Sequence, residues 1–273
     1  MKNTVLITGS SAGLGKAAAR KFAANGWNVI ATMRSPEKET ELNKLENVWV
    51  TQLDVQNEGS IAEAISGGIA KFGKIDAIIN NAGFGVFGAF ELATTKQIHQ
   101  QFDINVFGVM NMIKAVLPHF RQNKAGTIIN ISSQGGRVAF PAISLYHASK
   151  FAIEGFSESL SYELAIQNII VKLIEPGDTT TSFGSSVGLT NNPDIKDYDV
   201  FVNGFFKHWE TLHPEPSTPE DVAEVIYTAA TDGTSQLRYL VGKDTAEVIQ
   251  ARENNTDPDY MDWMKKKFLS NNN

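Results

Sequence analysis

Short apolar runs rich in β-branched residues recur along the chain, and most are separated by longer segments in which apolar residues repeat at helical spacing. The runs predict strands at residues 5–7, 28–32, 48–52, 77–79, 127–131, 169–174 and 239–241. The longer segments predict helices near residues 14–25, 58–72, 95–121, 143–166 and 219–231. Alternating strands and helices are typical of a parallel sheet covered on both faces. The sequence therefore predicts a doubly wound α/β fold of about seven strands, with ligands bound beyond their carboxyl ends.

Length and composition favour a single domain spanning residues 1–273. A chain of this length with 42% apolar residues can bury one substantial core, and no repeat or proline-rich linker divides it. Residues 179–219 are too long for an ordinary connection and carry several aromatic residues among glycines and prolines. We predict a substrate lid there rather than a disordered segment. At residues 254–273, where charges are dense, we expect a solvated C-terminal tail.

Charge and composition exclude several classes of function. A net charge of -6 provides no basic surface for nucleic acid, and the absence of cysteine removes disulfides and thiolate chemistry. No run is long and apolar enough for a bilayer, and no signal-peptide core precedes the first glycine, so we expect a cytoplasmic protein without membrane contact. The five histidines lack metal-ligand spacing, so no metal is expected. We assign His147 to the surface or the rim of the substrate site.

A glycine-rich turn follows the first strand. Its sequence is Thr8-Gly9-Ser10-Ser11-Ala12-Gly13-Leu14-Gly15, and a good helix former comes next. Glycines let the backbone approach a diphosphate closely, and the start of a helix offers free N–H groups and a positive dipole end. Such a turn can also be purely structural, but its place at the start of the first βαβ unit favours a phosphate site.

Further motifs stand in order behind that turn: Asp54-Val55, Asn80-Asn81-Ala82-Gly83, Asn105-Val106-Phe107-Gly108, Ser132-Ser133, Tyr146-His147-Ala148-Ser149-Lys150 and Pro176-Gly177. Together with the TGxxxGxG spacing, they make roughly residues 4–181 similar to the short-chain dehydrogenase/reductase family. Glu175-Pro176-Gly177 and the long aromatic segment resemble its 17β-hydroxysteroid and retinol dehydrogenase branch most. The resemblance implies a Rossmann fold that binds a nicotinamide dinucleotide.

The resemblance also implies which residues contact the cofactor. Asp54 and Val55 border the adenine, and Pro176-Gly177 turn the chain toward the nicotinamide, with the choice among Thr179 to Thr181 left open. The amides of Asn80 and Asn81 either line the adenosine side or tie neighbouring strands together. The implied cofactor contacts are Gly9, Ser10, Ser11, Gly13, Leu14, Gly15, Arg34, Asp54, Val55, Asn81, Ala82, Gly83, Asn105, Tyr146, Lys150, Pro176, Gly177, Thr179 and Thr181.

The end of the second strand bears on the choice of cofactor. NAD enzymes usually carry an acidic residue there for the ribose 2′-hydroxyl, whereas an arginine suits a 2′-phosphate. Met33 stands at that position and Arg34 follows, with a planar guanidinium matched to a phosphate. We therefore expect NADP(H) rather than NAD(H). The alternative is a solvated Arg34, because Ala12 stands where some NADP-dependent members have a basic residue.

Hydride transfer to a carbonyl requires a proton donor and a partner for the developing oxyanion. Tyr146 and Lys150 are four residues apart on one predicted helix face, where the ammonium would lower the pKa of the phenol. By resemblance, Ser133, thirteen residues before Tyr146, shares the substrate oxygen with it, and Ser132 only ends the strand. Asn105 is a poor helix former in a predicted helix, and in the family such an asparagine interrupts the helix and holds a water leading to the lysine.

The sequence as a whole predicts an NADP(H)-dependent oxidoreductase that interconverts a ketone or aldehyde and an alcohol on a small apolar substrate, with reduction as the cellular direction. The alternative is a non-catalytic NADP(H)-sensing protein of the same fold, which the intact catalytic set disfavours. An epimerase or dehydratase is disfavoured by the glycine spacing. Family members often associate through the helices at 95–121 and 143–166, so we expect a homodimer or homotetramer.

Overall fold

In a computed structural model, which describes residues 2–180, 187–212 and 215–269, seven parallel strands form the central sheet. The strands in chain order are β1 (Thr4–Ile7), β2 (Asn28–Met33), β3 (Val48–Gln52), β4 (Ala77–Asn80), β5 (Val86–Phe87), β6 (Gly126–Ile131), β7 (Ile169–Pro176), β8 (Gly188–Leu189) and β9 (Arg238–Val241). The sheet order is β3-β2-β1-β4-β6-β7-β9, while β5 and β8 pair separately. The doubly wound fold predicted from the sequence is confirmed.

The helices connect these strands and cover the sheet. They are α1 (Gly13–Ala24), α2 (Glu58–Phe72), α3 (Thr95–Phe102), α4 (Gly108–Asn123), α5 (Ser144–Ala165), α6 (Asp199–Leu212), α7 (Pro219–Thr231), α8 (Lys243–Asn254) and α9 (Asp257–Leu269). Asn57 caps α2, and Thr94 and Thr218 form capping boxes at α3 and α7, so polar side chains mark where the chain enters these helices. None of the helices in the described part of the chain has the length and apolar character needed to cross a bilayer.

Both faces of the sheet are buried, because successive residues of a strand point to opposite sides. Val5 and Ile7 pack on one side with residues of α1 and α7, such as Phe22 and Ile226. Leu6 between them packs on the other side with residues of α2, α4 and α5. Because the seven strands are parallel, their carboxyl ends lie at one edge of the sheet, and the sequence motifs follow the strands there.

A third apolar cluster overturns one expectation from the sequence. Residues 257–269 are not a solvated tail but helix α9, on which Tyr260, Met264 and Phe268 are buried. These three residues lie four apart and share one helix face, while the acidic and lysine residues between them face outward. The many charged residues of this segment led to the prediction of a tail, although its apolar residues form one buried helix face.

The predicted lid segment contains helix α6 within its described part. Phe205 on α6 is fully buried, and Trp209 packs edge-on against Phe140 at 4.9 Å between ring centroids. The two ends of the segment meet: the N–H of Thr180 donates to the carbonyl of Ser217 at 2.9 Å, and the N–H of Ser217 donates to Asp178 at 3.0 Å. Three of its aromatic residues, Phe205, Phe206 and Trp209, thus lie in the third cluster, together with Phe87 of β5.

Candidate active site

The turn between β1 and α1 requires glycine for geometric reasons. Gly9 has a φ of +70°, and a Cβ added there would lie 3.0 Å from the Cα of Ala82. A Cβ on Gly15 would lie 2.4 Å from the carbonyl oxygen of Gly9. The helix start and the loop after β4 therefore approach each other closely only because these side chains are absent.

The start of α1 fits a phosphate group. Its N-cap residue, Ala12, provides no side-chain acceptor, and the first turn has no acidic residue. The first N–H groups of a helix have no partner within it, so an anion can occupy this position. Ser11 is exposed beside it, whereas Ser10 is buried and donates its hydroxyl to the carbonyl of Ile7 at 3.0 Å. Of the two serines predicted to contact the cofactor, only Ser11 has its side chain exposed, because the Ser10 hydroxyl bonds within the turn.

The Asn80 and Asn81 side chains have structural partners, which was one of the two alternatives for them. Asn81 Nδ2 donates to the carbonyls of Thr8 and Gly9 at 2.9 and 3.1 Å. Asn80 Nδ2 donates to Asn130 Oδ1 on the neighbouring strand at 2.8 Å. These contacts tie the glycine turn to β4 and β4 to β6, and they place Ala82 and Gly83 at the same edge of the sheet.

Arg34 lies on the wall of a cavity of about 240 Å³ at the end of β2, together with Ser11, Ser35 and Lys38. The carboxylate of Glu39 is also present, but it is turned into its own loop. Its Oε1 accepts from the N–H groups of Glu41 and Leu42 at 2.8 and 3.0 Å. Burial acts to raise the pKa of Glu39, but these N–H groups and the Lys16 ammonium outweigh burial and lower it. The lining thus carries two cations, Arg34 and Lys38, against one carboxylate whose charge is paired within its own loop, so the cavity has a net positive charge.

Asp54 and Val55 follow β3 at the same edge. Asp54 Oδ1 accepts from the N–H of Gln56 at 3.0 Å, which fixes the carboxylate in a tight turn. Val55 is buried against α4, because a Cβ on Gly108 would lie only 2.7 Å from its Cγ2. The Val55 side chain therefore packs in the core.

Ser133, Tyr146 and Lys150 come together where β6 ends against α5. The Ser133 hydroxyl hydrogen-bonds to the phenol oxygen of Tyr146, and Ser133 Oγ accepts from the N–H of Gly135 at 3.0 Å. Lys150 Nζ donates to the carbonyl of Ile131 at 2.8 Å and lies 5.6 Å from the centroid of the Tyr146 ring. The three residues that the sequence placed in one site are therefore neighbours.

The pKa shifts of this group differ in part from the expectation. Burial raises the pKa of Tyr146, and the hydrogen bond from Ser133 offsets this effect only in part, so the predicted lowering is wrong for the chain itself. Burial lowers the pKa of Lys150 to about 8, against the opposing effect of the Glu154 charge. At neutral pH the phenol thus keeps its proton and can donate it.

Asn105 interrupts the long predicted helix. The five residues Asp103–Phe107 form a π-turn between α3 and α4, as expected for an asparagine in this position. The Asn105 amide donates to the carbonyl of Phe84 at 2.8 Å and to Ser149 Oγ at 3.2 Å. Asn105 Oδ1 accepts from the N–H of Phe84 at 3.0 Å. The side chain therefore anchors the loop after β4, and a water leading to Lys150 stays a prediction.

Gln101 was not predicted to take part in the site, and His147 was predicted at the surface or the substrate rim. Gln101 is fully buried, and its side chain bonds to Phe84, Val86 and Ser149. His147 is buried rather than at the surface: its Nε2 accepts from the N–H of Phe140 at 2.8 Å, and its Nδ1 faces the carbonyl of Gly135 at 2.8 Å. Gln101 stands four residues before Asn105, so helical spacing could have indicated that the two side chains lie on the same face. No local sequence pattern indicated the burial of His147.

The turn after β7 completes the site. A Cβ on Gly177 would lie 2.2 Å from Asp244 Oδ2, so a side chain there would displace the Asp244 carboxylate, which accepts from the N–H of Asp178 at 2.8 Å. Thr179 donates its hydroxyl to the carbonyl of Gly177 at 3.2 Å. Thr181, one of the predicted cofactor contacts, lies outside the described residues.

A parallel sheet with a glycine turn, a helix start open to an anion and a Ser-Tyr-Lys group at one edge defines a dinucleotide-binding oxidoreductase. Solved structures resemble the whole chain. A short-chain dehydrogenase from Streptomyces avermitilis superimposes with a TM-score of 0.84 at 30% identity, over 97% of each chain. ElxO with NADP bound superimposes with a TM-score of 0.76 at 28% identity, over 90% of this chain and 100% of ElxO.

Sequence comparison identifies the family. The sequence model of the short chain dehydrogenase family matches residues 3–192, so the chain belongs to this family, as predicted. An uncharacterised oxidoreductase of Schizosaccharomyces pombe is 42% identical over 86% of this chain and 99% of its own length. A 3-ketodihydrosphingosine reductase of Bacteroides thetaiotaomicron is 35% identical over 94% of both chains. Retinol dehydrogenase 8 of Bos taurus is 33% identical over 86% of this chain and 80% of its own.

Proposed function

We propose that this short-chain dehydrogenase reduces the carbonyl group of a small apolar ketone or aldehyde with NADPH. The observation that carries the proposal is the contact between Tyr146 and Ser133 with Lys150 behind them. Because the pKa of Tyr146 is raised by burial, the phenol holds a proton to donate near neutral pH. A non-catalytic NADP(H) sensor, the alternative function, would not need a proton-donating tyrosine next to Ser133 and Lys150.

The cofactor preference rests on the basic cavity at the end of β2. Arg34 and Lys38 line it, and Glu39, which is the one carboxylate among the described lining residues, is held by backbone N–H groups. A 2′-phosphate would accept hydrogen bonds from the Arg34 guanidinium, whereas a 2′-hydroxyl would find no acceptor of the kind NAD enzymes provide. ElxO, 28% identical, holds NADP in its solved structure, which agrees with this preference.

The proposed roles of the residues follow from their positions. The bound nicotinamide supplies the hydride. In this proposal, the Ser133 hydroxyl donates a hydrogen bond to the substrate oxygen. The Tyr146 hydroxyl transfers its proton to the same oxygen as negative charge develops there. Lys150 holds a positive charge near the phenol and can bind the ribose hydroxyls of the cofactor. The glycine turn, Ser11 and the start of α1 bind the diphosphate.

An apolar substrate is supported by the cavity beside the active site. It measures about 590 Å³ and lies between the loop after β5 and α6, with Phe90, Ala142 and Phe201 among its lining residues. Phe87 lies edge-on to the Tyr146 ring at 5.7 Å and stacks with Phe206 at 6.3 Å. The described part of the 179–219 segment therefore acts, in this proposal, as a lid that shields the reaction from water.

The proposed oligomer uses the π-turn before α4 and the face of α5 that carries exposed apolar residues. Phe107 is 52% exposed and Phe151 46% exposed, and Tyr162 and Ile166 extend this surface along α5. Exposed apolar residues grouped in this way are typical of an interface. We propose a homodimer or homotetramer, to be counted by analytical ultracentrifugation. The cytoplasmic location expected from the sequence stays a prediction, and cell fractionation would test it.

The function is tested with a panel of aliphatic, aromatic and steroidal ketones and aldehydes, scored by consumption of NADPH and of NADH. We expect turnover of at least one apolar carbonyl compound, with NADPH preferred. The matched control is the Tyr146→Phe enzyme with the same panel. Tight NADPH binding without turnover of any panel member would favour the sensor instead.

A further inference from the structure

Two buried carboxyl groups lie behind the active site. Glu154 follows Lys150 by one helical turn on α5, and Glu175 ends the run of charged and apolar residues on β7 just before Pro176. Glu154 is 5% exposed and Glu175 is 0% exposed. A buried carboxylate is costly unless its oxygens are paired, so both groups require an explanation.

Two arginines meet this pair, but they leave part of it unsatisfied. Arg238 Nε lies 3.0 Å from Glu154 Oε2 and 3.2 Å from Glu175 Oε1, so the two carboxyl groups share one nitrogen. Arg137 Nη1 lies 3.5 Å from Glu175 Oε1. Glu154 Oε1 and Glu175 Oε2 find no hydrogen-bond donor among the described residues. A proton held on one carboxyl group of the pair would remove one of the two buried negative charges that the arginines only partly offset.

The surrounding charges also favour such a proton. The other groups that face the two arginines are carboxylates at the rim: Glu158 on α5 bonds to Arg238, and Glu253 on α8 bonds to Arg137. Four carboxylates around two arginines would leave an excess of negative charge, part of it fully buried. Burial and the neighbouring Glu154 raise the pKa of Glu175 to about 7.

The pair touches both catalytic elements. Lys150 precedes Glu154 by four residues on the same helix face, and the Glu154 charge favours the ammonium form of the lysine. A Cβ on Gly136, in the loop that carries Ser133, would lie 2.8 Å from Glu154 Cγ, so this loop packs directly on the Glu154 side chain. Arg137 in the same loop reaches Glu175.

We propose that Glu154 and Glu175 are positioning residues that share one proton, with the remaining negative charge held on Glu154 to keep Lys150 in its ammonium form. Glu175 carries this proton and becomes ionised only as pH rises into the neutral range. The inference rests on the role proposed above for Lys150, but it concerns ionisation states that exist without substrate.

The test is a titration by NMR of the intact protein, with ¹³C in glutamate carboxyl and lysine Cε positions, followed from about pH 3 to about pH 10 so that it includes the titration of exposed glutamates. Glu175→Gln and Lys150→Arg assign the two signals by their loss. We expect the Glu175 carboxyl to titrate near pH 7 and the Lys150 amine near pH 8. In Glu154→Gln, both midpoints should fall, each by about one pH unit.

Glu158→Gln is the matched control, because Glu158 lies on the same helix and bonds to the same arginine but is 46% exposed. We expect both titrations to stay at their wild-type positions in this variant. A pair that only holds the fold would lower the melting temperature of Glu154→Gln without moving the Lys150 titration, and that result overturns the proposal.

The wild-type protein alone provides a second test that does not depend on folding of the Glu154 variant. If Glu175 titrates together with the exposed glutamates, the shared proton does not exist. Because no substrate takes part, a failure to find turnover would refute the proposed function and leave this inference standing.

Discussion

The side-chain amide of Asn105 pairs with both backbone groups of Phe84, accepting from its N–H at 3.0 Å and donating to its carbonyl at 2.8 Å. Asn105 is 2% exposed and lies in the π-turn, whereas Phe84 follows the Asn81-Ala82-Gly83 run after β4. One side chain thus joins the interrupted helix to a loop that lines the proposed cofactor site.

Asn105→Ala should lower the free energy of unfolding by about 2–3 kcal/mol, because two buried backbone groups of Phe84 lose their partner. Urea denaturation measures this change. The control is Asn123→Ala at the exposed end of α4, for which we expect a loss under about 1 kcal/mol. Equal losses in the two variants would mean that the Asn105 contact contributes little to stability.

Tyr146→Phe should bind NADPH as the wild type does but lose carbonyl reduction by roughly 10²- to 10⁴-fold, because the phenol supplies the proton. Fluorescence titration measures binding, and NADPH consumption measures turnover. Tyr162→Phe, on the same helix but 72% exposed, is expected to keep full activity. Unchanged turnover in Tyr146→Phe would rule out the proposed donor.

Arg34→Asp should weaken NADPH binding by roughly ten- to a hundredfold and improve NADH binding, because a carboxylate repels the 2′-phosphate and accepts from a 2′-hydroxyl. Dissociation constants for both cofactors measure the change. Arg121→Asp makes the same change of charge at an exposed position on α4 and should leave the preference unaltered. If the wild type binds the two cofactors equally, Arg34 does not select NADPH.

His147 should make stability fall on mild acidification. Burial lowers the pKa of His147 in the folded state from 6.5 to about 4, so between these values the unfolded chain binds the extra proton. The stability that depends on neutral His147 is therefore present above about pH 6.5 and lost as pH falls toward about 4. Denaturation at pH 7 and pH 5 should show a smaller decrease in His147→Gln than in the wild type.

The exposed His99 offers the comparison for that experiment. His99→Gln is expected to lose as much stability between pH 7 and pH 5 as the wild type does. A decrease of the same size in His147→Gln would show that other groups cause the acid sensitivity.

Phe268→Ala should destabilise the fold by about 3–5 kcal/mol, because Phe268 is fully buried on α9 and packs on Phe140 and Trp209. Thermal or chemical unfolding measures the loss. Met261→Ala on the exposed side of the same helix should cost under about 1 kcal/mol. A negligible effect at Phe268 would restore the expectation of a loosely attached tail.

Much of the fold was predictable, because the patterns that define it are local. The seven strands of the central sheet appear within two residues of their predicted bounds, since each is a short apolar run between turns and the central ones are buried on both faces. The two-residue strands β5 and β8 were not predicted. Helix α9 was not predicted because its apolar residues stand between charged residues. They are buried because they pack against aromatic residues of α6 and the loop that follows Ser133.

Local sequence patterns were enough to predict the parallel sheet, the glycine turn and the candidate site residues Ser133, Tyr146 and Lys150, because strand period and motif spacing can be read along the chain. The pKa values of the buried side chains, in contrast, depend on the tertiary fold. The burial of Tyr146 and His147 and the arginine shared by Glu154 and Glu175 depend on elements far apart in the chain. Desolvation and charge pairing act through space, and spacing along the sequence does not report them.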